Sequence, residues 1–227
     1  MAADRPRCVV FGAGGHALVV VDAIQLADAV DVLGILDADP ARWGRQVLGV
    51  PVVGDDSALG DLVARGATSF TVGMGSVGDS RARRRLFALG LAAGLAPLLV
   101  VHPAAIRARS AVVGAGCQLL AGSIVNAGAR LGANVIVNSG AIVEHDCDIG
   151  DHAHIATGAR LASTVTVGEG AHIGVGASVR ECLSIGAGAV VGAGSAVVRS
   201  VAPGRVVGGV PARELRTPGE AGPANER

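Results

Sequence analysis

The stretch Leu131-Gly132-Ala133-Asn134-Val135-Ile136-Val137-Asn138-Ser139-Gly140-Ala141-Ile142-Val143 has an aliphatic residue at every sixth position: Leu131, Val137 and Val143. Extended from Val113 to Val197, the same step meets Val, Ile or Leu at fifteen positions in succession, among them Leu119, Val125, Ile149, Ile155, Leu161, Val167 and Ile173. Two residues ahead of each stands a small or apolar residue, from Ala111 and Cys117 to Ser195. Gly often follows, as at Gly114, Gly132, Gly150 and Gly168. A period of six fits neither the 3.6-residue helix nor the two-residue alternation of a half-buried strand. It fits a parallel β-helix in which each hexad is a short strand and a turn, and three hexads close a coil, giving about five coils. The aliphatic residue points into the prism, the small one fits beside it, and Gly relieves the corners.

The first hundred residues follow a different rule. Cys8–Phe11, Val32–Leu36 and Phe70–Val72 read as buried strands, Ala17–Leu26 and Ser80–Leu89 as helices, and Leu98–Val101 as a closing strand. Strands alternating with helices predict a small parallel α/β sheet, Rossmann-like in kind. The expected organisation is an α/β domain over residues 1–101, a β-helix over 102–216 and a frayed tail over 217–227. Ile106 opens the first, imperfect coil. The repeat is expected to break at Val201-Ala202-Pro203-Gly204, because Pro cannot supply a ladder N–H.

Composition excludes several function classes. The 227 residues carry 19 positive and 19 negative charges, so there is no electrostatic footprint for nucleic acid. Arg81-Ala82-Arg83-Arg84-Arg85 reads as the wet face of a helix. No window is apolar for long enough to span a membrane, and the N-terminus does not read as a signal peptide. Cys8, Cys117, Cys147 and Cys182 form no CxxC pair and read as reduced thiols in the cytoplasm.

The ionisable chemistry concentrates in Glu144-His145-Asp146-Cys147-Asp148-Ile149-Gly150-Asp151-His152-Ala153-His154. On an 18-residue coil, residues eighteen apart stack about 4.8 Å apart. That puts His145 below Ser163 in one outward column at a corner, and His154 below His172 in another. Asp146 beside His145 can hydrogen-bond one imidazole nitrogen and fix the tautomer, leaving the other free as a general base. His152 and His172 read as surface residues. His152 and His154 with Asp148 and Asp151 form the one conceivable metal cluster, but no third and fourth ligand stands at a recognised spacing, so no metal is expected.

In the front domain, Gly12-x-Gly14-x-x-Ala17 follows a strand and opens a helix, with Asp37 ending the next strand. Such glycines allow close backbone approach, and a helix N-terminus favours phosphate. Gly12, Gly14, Gly15, His16 and Asp37 are candidate contacts for a phosphorylated ligand; the plain alternative is a tight strand–helix turn.

Taken with the hexad register, Phe11-Gly12-Ala13-Gly14-Gly15-His16, Ile35-Leu36-Asp37, Val101-His102-Pro103-Ala104-Ala105, Val143-Glu144-His145-Asp146 and Gly209-Val210-Pro211-Ala212-Arg213 resemble a known family. It is that of the bacterial sugar acetyltransferases, which includes sialic acid O-acetyltransferases and UDP-4-amino-sugar N-acetyltransferases. The resemblance implies a left-handed β-helix, acetyl-CoA as co-substrate, a nucleotide-sugar bound by the front domain, and a homotrimer with sites between neighbouring prisms. It implies that His145 is the catalytic base with Asp146 its acidic partner. It further implies that His154 contacts ligand across a subunit boundary, that the Ser163 backbone N–H meets the thioester carbonyl, and that Arg213 or Arg216 meets a CoA phosphate. Relatives often carry Gly where this chain has Ser163, which leaves the local geometry to be found. The expected reaction is acetyl transfer to the N4 amine of a nucleotide-linked 4-amino-4,6-dideoxyhexose. The rivals are O-acetylation of sialic acid or another glycan, a non-catalytic nucleotide-sugar-binding scaffold and, last, a NAD-linked enzyme.

Overall fold

The computed structural model describes residues 5–215. In the front domain, β1 (Arg7–Phe11), α1 (Gly15–Ala27), β2 (Asp31–Leu36), β3 (Gln46–Val47), β4 (Val50–Gly54), α2 (Leu59–Ala64), β5 (Ser69–Val72), α3 (Arg81–Ala92) and β6 (Ala96–Pro97) follow one another. They form one sheet in the order β3-β4-β2-β1-β5-β6, parallel except for the β3–β4 pair. Val9, Val10, Phe11, Ile35 and Phe70 are wholly buried, which explains the unbroken apolar runs: a parallel sheet covered on both faces has no wet side. After β1 the chain builds to one side, through β2 and β4, and then returns to the other with β5. A crevice therefore opens beyond the carboxyl ends of β1 and β5.

The rest of the chain is a parallel β-helix with three flat faces. The first face stacks Val100–Val101, Gln118–Leu119, Ile136–Val137, His154–Ile155, His172–Ile173, Val190–Val191 and Val206–Gly208, with Arg213–Glu214 antiparallel at its end. Ile106–Arg107 begins the second face and Val112–Val113 the third. Partners lie eighteen residues apart, as in Ile136↔His154 and Val143↔Leu161. Leu119, Val125, Val137, Val143, Ile155 and Ile173 are fully buried along the axis. Each such side chain contributes roughly 1.5–3 kcal/mol when taken out of water.

The repeat breaks where expected, since partners here lie sixteen and not eighteen residues apart, but the stack itself runs on. Val201 is buried and bridges Ile185, and Val206–Val207 pairs with Val190–Val191. Pro203 falls in a corner, where no ladder N–H is required of it, and Gly204 turns the chain at φ +69°.

The arginine run of α3 is wet at Arg81 and Arg85 but not at Arg83. Arg83 is 1% exposed and donates to the carbonyls of Asn134, His152 and Ala153 on the β-helix, while Arg84 pairs with Glu169. Phe87 packs edge-on against His152 at 5.7 Å. One corner of the prism is thus clamped to the front domain by helix side chains. Arg83→Met would leave carbonyls facing apolar surface and should cost about 2–5 kcal/mol, measured as a lower denaturation midpoint. Arg81→Ala, on the exposed side of the same helix, should leave the midpoint where it is.

Candidate functional site

His145 occupies the corner between the second and third faces. Its Nδ1 lies 2.8 Å from Asp146 Oδ2. A carboxylate only accepts, so Nδ1 carries the hydrogen and the Nε2 lone pair is left outward. Asp146 reaches back because it adopts the left-handed conformation, φ +59°, which Asp tolerates better than most residues. Gly128 one coil below leaves room for its carboxylate, since a Cβ there would run into Asp146 Oδ1. On the other flank, Glu144 Oε2 accepts from the His145 amide at 3.1 Å and from Asn126 Nδ2 at 2.9 Å. The imidazole is therefore set by Asp146 and the backbone that carries it by Glu144, while His145 and Asp146 stay more than half exposed.

Ser163 lies one coil above His145, in the column expected from the sequence. The left-handed residue at this corner is Thr164, φ +59°, and Ser163 needs no glycine-like conformation. The two coils below cap the corresponding amides with side chains: Asn126 Oδ1 takes the Ala127 N–H at 2.8 Å and Glu144 takes that of His145. Ala162 precedes Ser163 and has no group to do so, and the Ser163 N–H has no partner among the described residues. A free backbone donor thus stands one coil above His145.

His154 does not face outward from the protein. It is 6% exposed on the first face, beneath the chain's own front domain. Its Nδ1 donates to the Ser76 carbonyl at 2.7 Å and its Nε2 accepts from Asn138 Nδ2 at 3.1 Å. Asn138 Oδ1 is itself held by the Ser139 amide, which blocks a flip. Burial, above all, pushes the His154 pKa down to about 3. His172, read as a surface residue, is equally buried and stacks edge-on against His154 at 5.0 Å; its Nδ1 has no partner among the described residues. His152 is also no free surface group: besides Phe87, its Nδ1 meets Asn134 Nδ2 at 3.0 Å. The HxH pair diverges to a corner and a face, and among the described residues no group of three His, Cys, Asp or Glu side chains is disposed to hold a metal.

The crevice of the front domain is a pocket of about 300 Å³ lined by Gly12, Gly14, Gly15, His16, Asp37, Arg42, Gly73, Met74 and Gly75. The first-turn amides of α1 open onto it, with Gly12 turning the chain at φ +95°. Asp37 braces this loop: Oδ2 accepts from the Ala13 amide at 2.6 Å and Oδ1 from that of Asp39 at 2.9 Å. Arg42 grips the Ala13 carbonyl at 2.6 Å from the other side. A Cβ on Gly73 would stand 2.8 Å from Ala17 Cβ and Gly12 O, so only glycine lets the two loops meet. Arg42, Gly73 and Gly75 escape a sequence reading because only the order of strands in the sheet brings them to this crevice; Thr71-Val72-Gly73-Met74-Gly75, a strand ending in glycines, was the available signal.

Arg213 lies at the far end of the prism, in a groove of about 400 Å³ that also includes Arg199, Ser200 and Arg205. Its guanidinium donates to the Ala212 carbonyl at 3.0 Å. Arg216 and the tail after it lie outside the described residues. Among those residues no helix is long and apolar enough to cross a membrane.

Residues 7–88 match the PglD N-terminal domain family, and residues 128–163 match the bacterial transferase hexapeptide (six repeats) family. Among solved structures the chain is similar to PerB from Caulobacter crescentus in complex with CoA and GDP-perosamine. The two are 40% identical over 92% of this chain and 97% of that one, with a TM-score of 0.86. The perosamine N-acetyltransferase of that organism has also been solved as His→Asn and His→Ala variants. The acetyltransferase domain of PglB from Neisseria gonorrhoeae, in complex with acetyl coenzyme A, is 34% identical over 93% of this chain and all of that one, with a TM-score of 0.84. WeeI from Acinetobacter baumannii is 26% identical over 92% of this chain and 99% of that one, with a TM-score of 0.79. No curated protein sequence matches.

Burial of His154 makes stability depend on pH. The folded protein withholds the proton until about pH 3, whereas the unfolded chain takes it up below about 6.5. Stability contributed by neutral His154 is complete above 6.5 and is lost progressively as pH falls from 6.5 toward 3, by up to about 1.4 kcal/mol per pH unit. Urea titrations at pH 7, 6 and 5 should show this fall, and His154→Gln should make it shallower, leaving the part owed to His16, His152 and His172, which burial also holds below their ordinary pKa.

Proposed function

The chain belongs to the bacterial sugar acetyltransferases built on a left-handed hexapeptide-repeat β-helix, and from that premise we propose that His145 deprotonates the amine of a nucleotide-linked amino-sugar as it attacks acetyl-CoA. The observation that carries this reading is the 2.8 Å bond from His145 Nδ1 to Asp146, which leaves Nε2 as the acceptor of the amine proton. The amine nitrogen adds to the thioester carbonyl while Nε2 takes its proton. The Ser163 N–H donates to the oxyanion. Collapse breaks the C–S bond, and the imidazolium returns its proton to the departing CoA sulfur. The thioester is already activated, so no covalent enzyme intermediate is needed. N4 of a 4-amino-4,6-dideoxyhexose is the position we assign to the acetyl group.

The pocket formed by Gly12, Gly14, Gly15, His16 and Asp37 holds the nucleotide diphosphate in this reading, its phosphates on the N-terminus of α1. The arginine groove at Arg213 is assigned to the phosphates of CoA. The front domain covers the first face of the prism, whereas His145 stands on the corner opposite that face. A sugar held by one chain's pocket therefore meets the His145 of another, which supports the homotrimer and a cleft that closes over the exposed His145–Asp146 pair. His154, beneath its own front domain, supports that domain's loop and takes no part across the boundary. The free cysteines fit a reducing compartment, the cytoplasm.

Thiol release from acetyl-CoA should be measured across GDP-, UDP- and dTDP-linked 4-amino sugars and free sialic acid. His145→Ala should lower kcat by about 10²–10⁴, with CoA affinity retained. Turnover on sialic acid alone would turn the reading to O-acetylation, and CoA or nucleotide-sugar binding without turnover on any acceptor to a scaffold. Mixing His145→Ala subunits with subunits disabled at the pocket, by Gly14→Asp, should restore about a quarter of wild-type activity if each site draws on two chains. No recovery would place both halves in one chain.

A further inference from the structure

His16 stands in the first turn of α1, where the front-domain pocket meets the first face of the prism. Its state is set by Gln118, which reaches up from that face. The Val72 carbonyl can only accept, so the Gln118 atom 2.8 Å from it is the amide nitrogen, which also donates to Thr71 Oγ1 at 3.1 Å. The oxygen of Gln118 is then the atom 2.7 Å from His16 Nε2, and that contact requires hydrogen on Nε2. Burial, first, and then the nearby Arg83 hold the ring below its ordinary pKa, against the opposing pull of the Gln118 bond, so the imidazole is neutral. A neutral imidazole protonated at Nε2 has only a lone pair at Nδ1.

That lone pair is open to the pocket. A Cβ on Gly75 would stand 3.9 Å from His16 Nδ1 and 3.8 Å from His154 Cε1, so glycine keeps side-chain atoms away from the ring at this position. The ionisable groups around it are Arg83 from α3, His154 and His172 from the first face, and Asp37 and Arg42 at the pocket mouth. None of them donates to Nδ1. Beside it, the first-turn amides of α1 offer only N–H groups. The pocket thus sets one acceptor next to a row of donors.

We propose that His16 is a specificity-determining residue whose Nδ1 accepts a hydrogen bond from a hydroxyl or N–H group of the nucleotide-sugar and makes no bond to phosphate oxygen. The inference rests on reading this pocket as the nucleotide-sugar site. The backbone amides of the loop bind the phosphates whatever the sugar; His16 selects for a donor beside them.

Calorimetric titration separates these roles. The ligands are the tightest binder among GDP-, UDP- and dTDP-linked 4-amino sugars, and inorganic pyrophosphate, which offers phosphate oxygens alone. His16→Ala should weaken the nucleotide-sugar about tenfold and leave pyrophosphate unchanged. His16→Asn, whose side-chain oxygen reaches near the place of Nδ1, should recover part of that loss. An equal loss on pyrophosphate, or no recovery in a folded His16→Asn, would overturn the acceptor role. Nucleotide-sugar binding indifferent to His16 would overturn this inference and leave the pocket assignment standing. A wild type that binds nothing in the panel would overturn both.

Discussion

Everything in the β-helix depends on the backbone ladder, in which each strand residue faces the one eighteen positions on and its N–H bonds the carbonyl seventeen positions on. Ile124 N–H bonds Ala141 O, Ile142 bonds Ala159, and Arg160 bonds Ala177, coil upon coil. Once that register holds, a residue's place in the hexad decides whether it faces the axis, a flat face or a corner. The aliphatic axis keeps the register, because a slip of one residue would turn Val143, Leu161 and Val179 outward together. The corners carry no such burden. His145, Asp146 and Ser163 occupy corner positions, where polar side chains and a free amide cost the core nothing.

The second constraint is the seam between the two domains. Arg83 is buried with its charge, and its cost is offset by the carbonyls of Asn134, His152 and Ala153, from two successive coils at one corner of the prism. His154 and Gln118 work from the prism side: one holds the Ser76 carbonyl, the other binds Thr71, Val72 and His16. The loop that forms one wall of the pocket is therefore shaped by residues of the β-helix. The pocket is a property of the pair of domains, although every residue that lines it belongs to the front one.

Much of this was legible in the sequence. Hexad arithmetic gives the faces and the column of His145 beneath Ser163, because the coil length is a local property that never varies between Val113 and Val197. The adjacency of His145 and Asp146 needs no tertiary knowledge either. Arg83 and His172 read as surface groups and His154 as a group facing another subunit; all three are buried instead where the chain's own two domains meet, a contact that no local pattern announces. Ser163 was suspected of needing a glycine's backbone freedom, yet the strained position lies one residue later, at Thr164.

The sequence by itself determined the two architectures, the register of the coils and the residue types at each corner, because all of these follow from periods shorter than twenty residues. Tertiary structure alone decided which face of the prism the front domain covers. From that choice follow the burial of His154 and His172, the tautomer of His16 through Gln118, and the meeting of Gly12 with Gly73. The reason is that these contacts join segments 46 to 102 residues apart, where no local pattern constrains the chain and only the packing of two finished surfaces can select a partner.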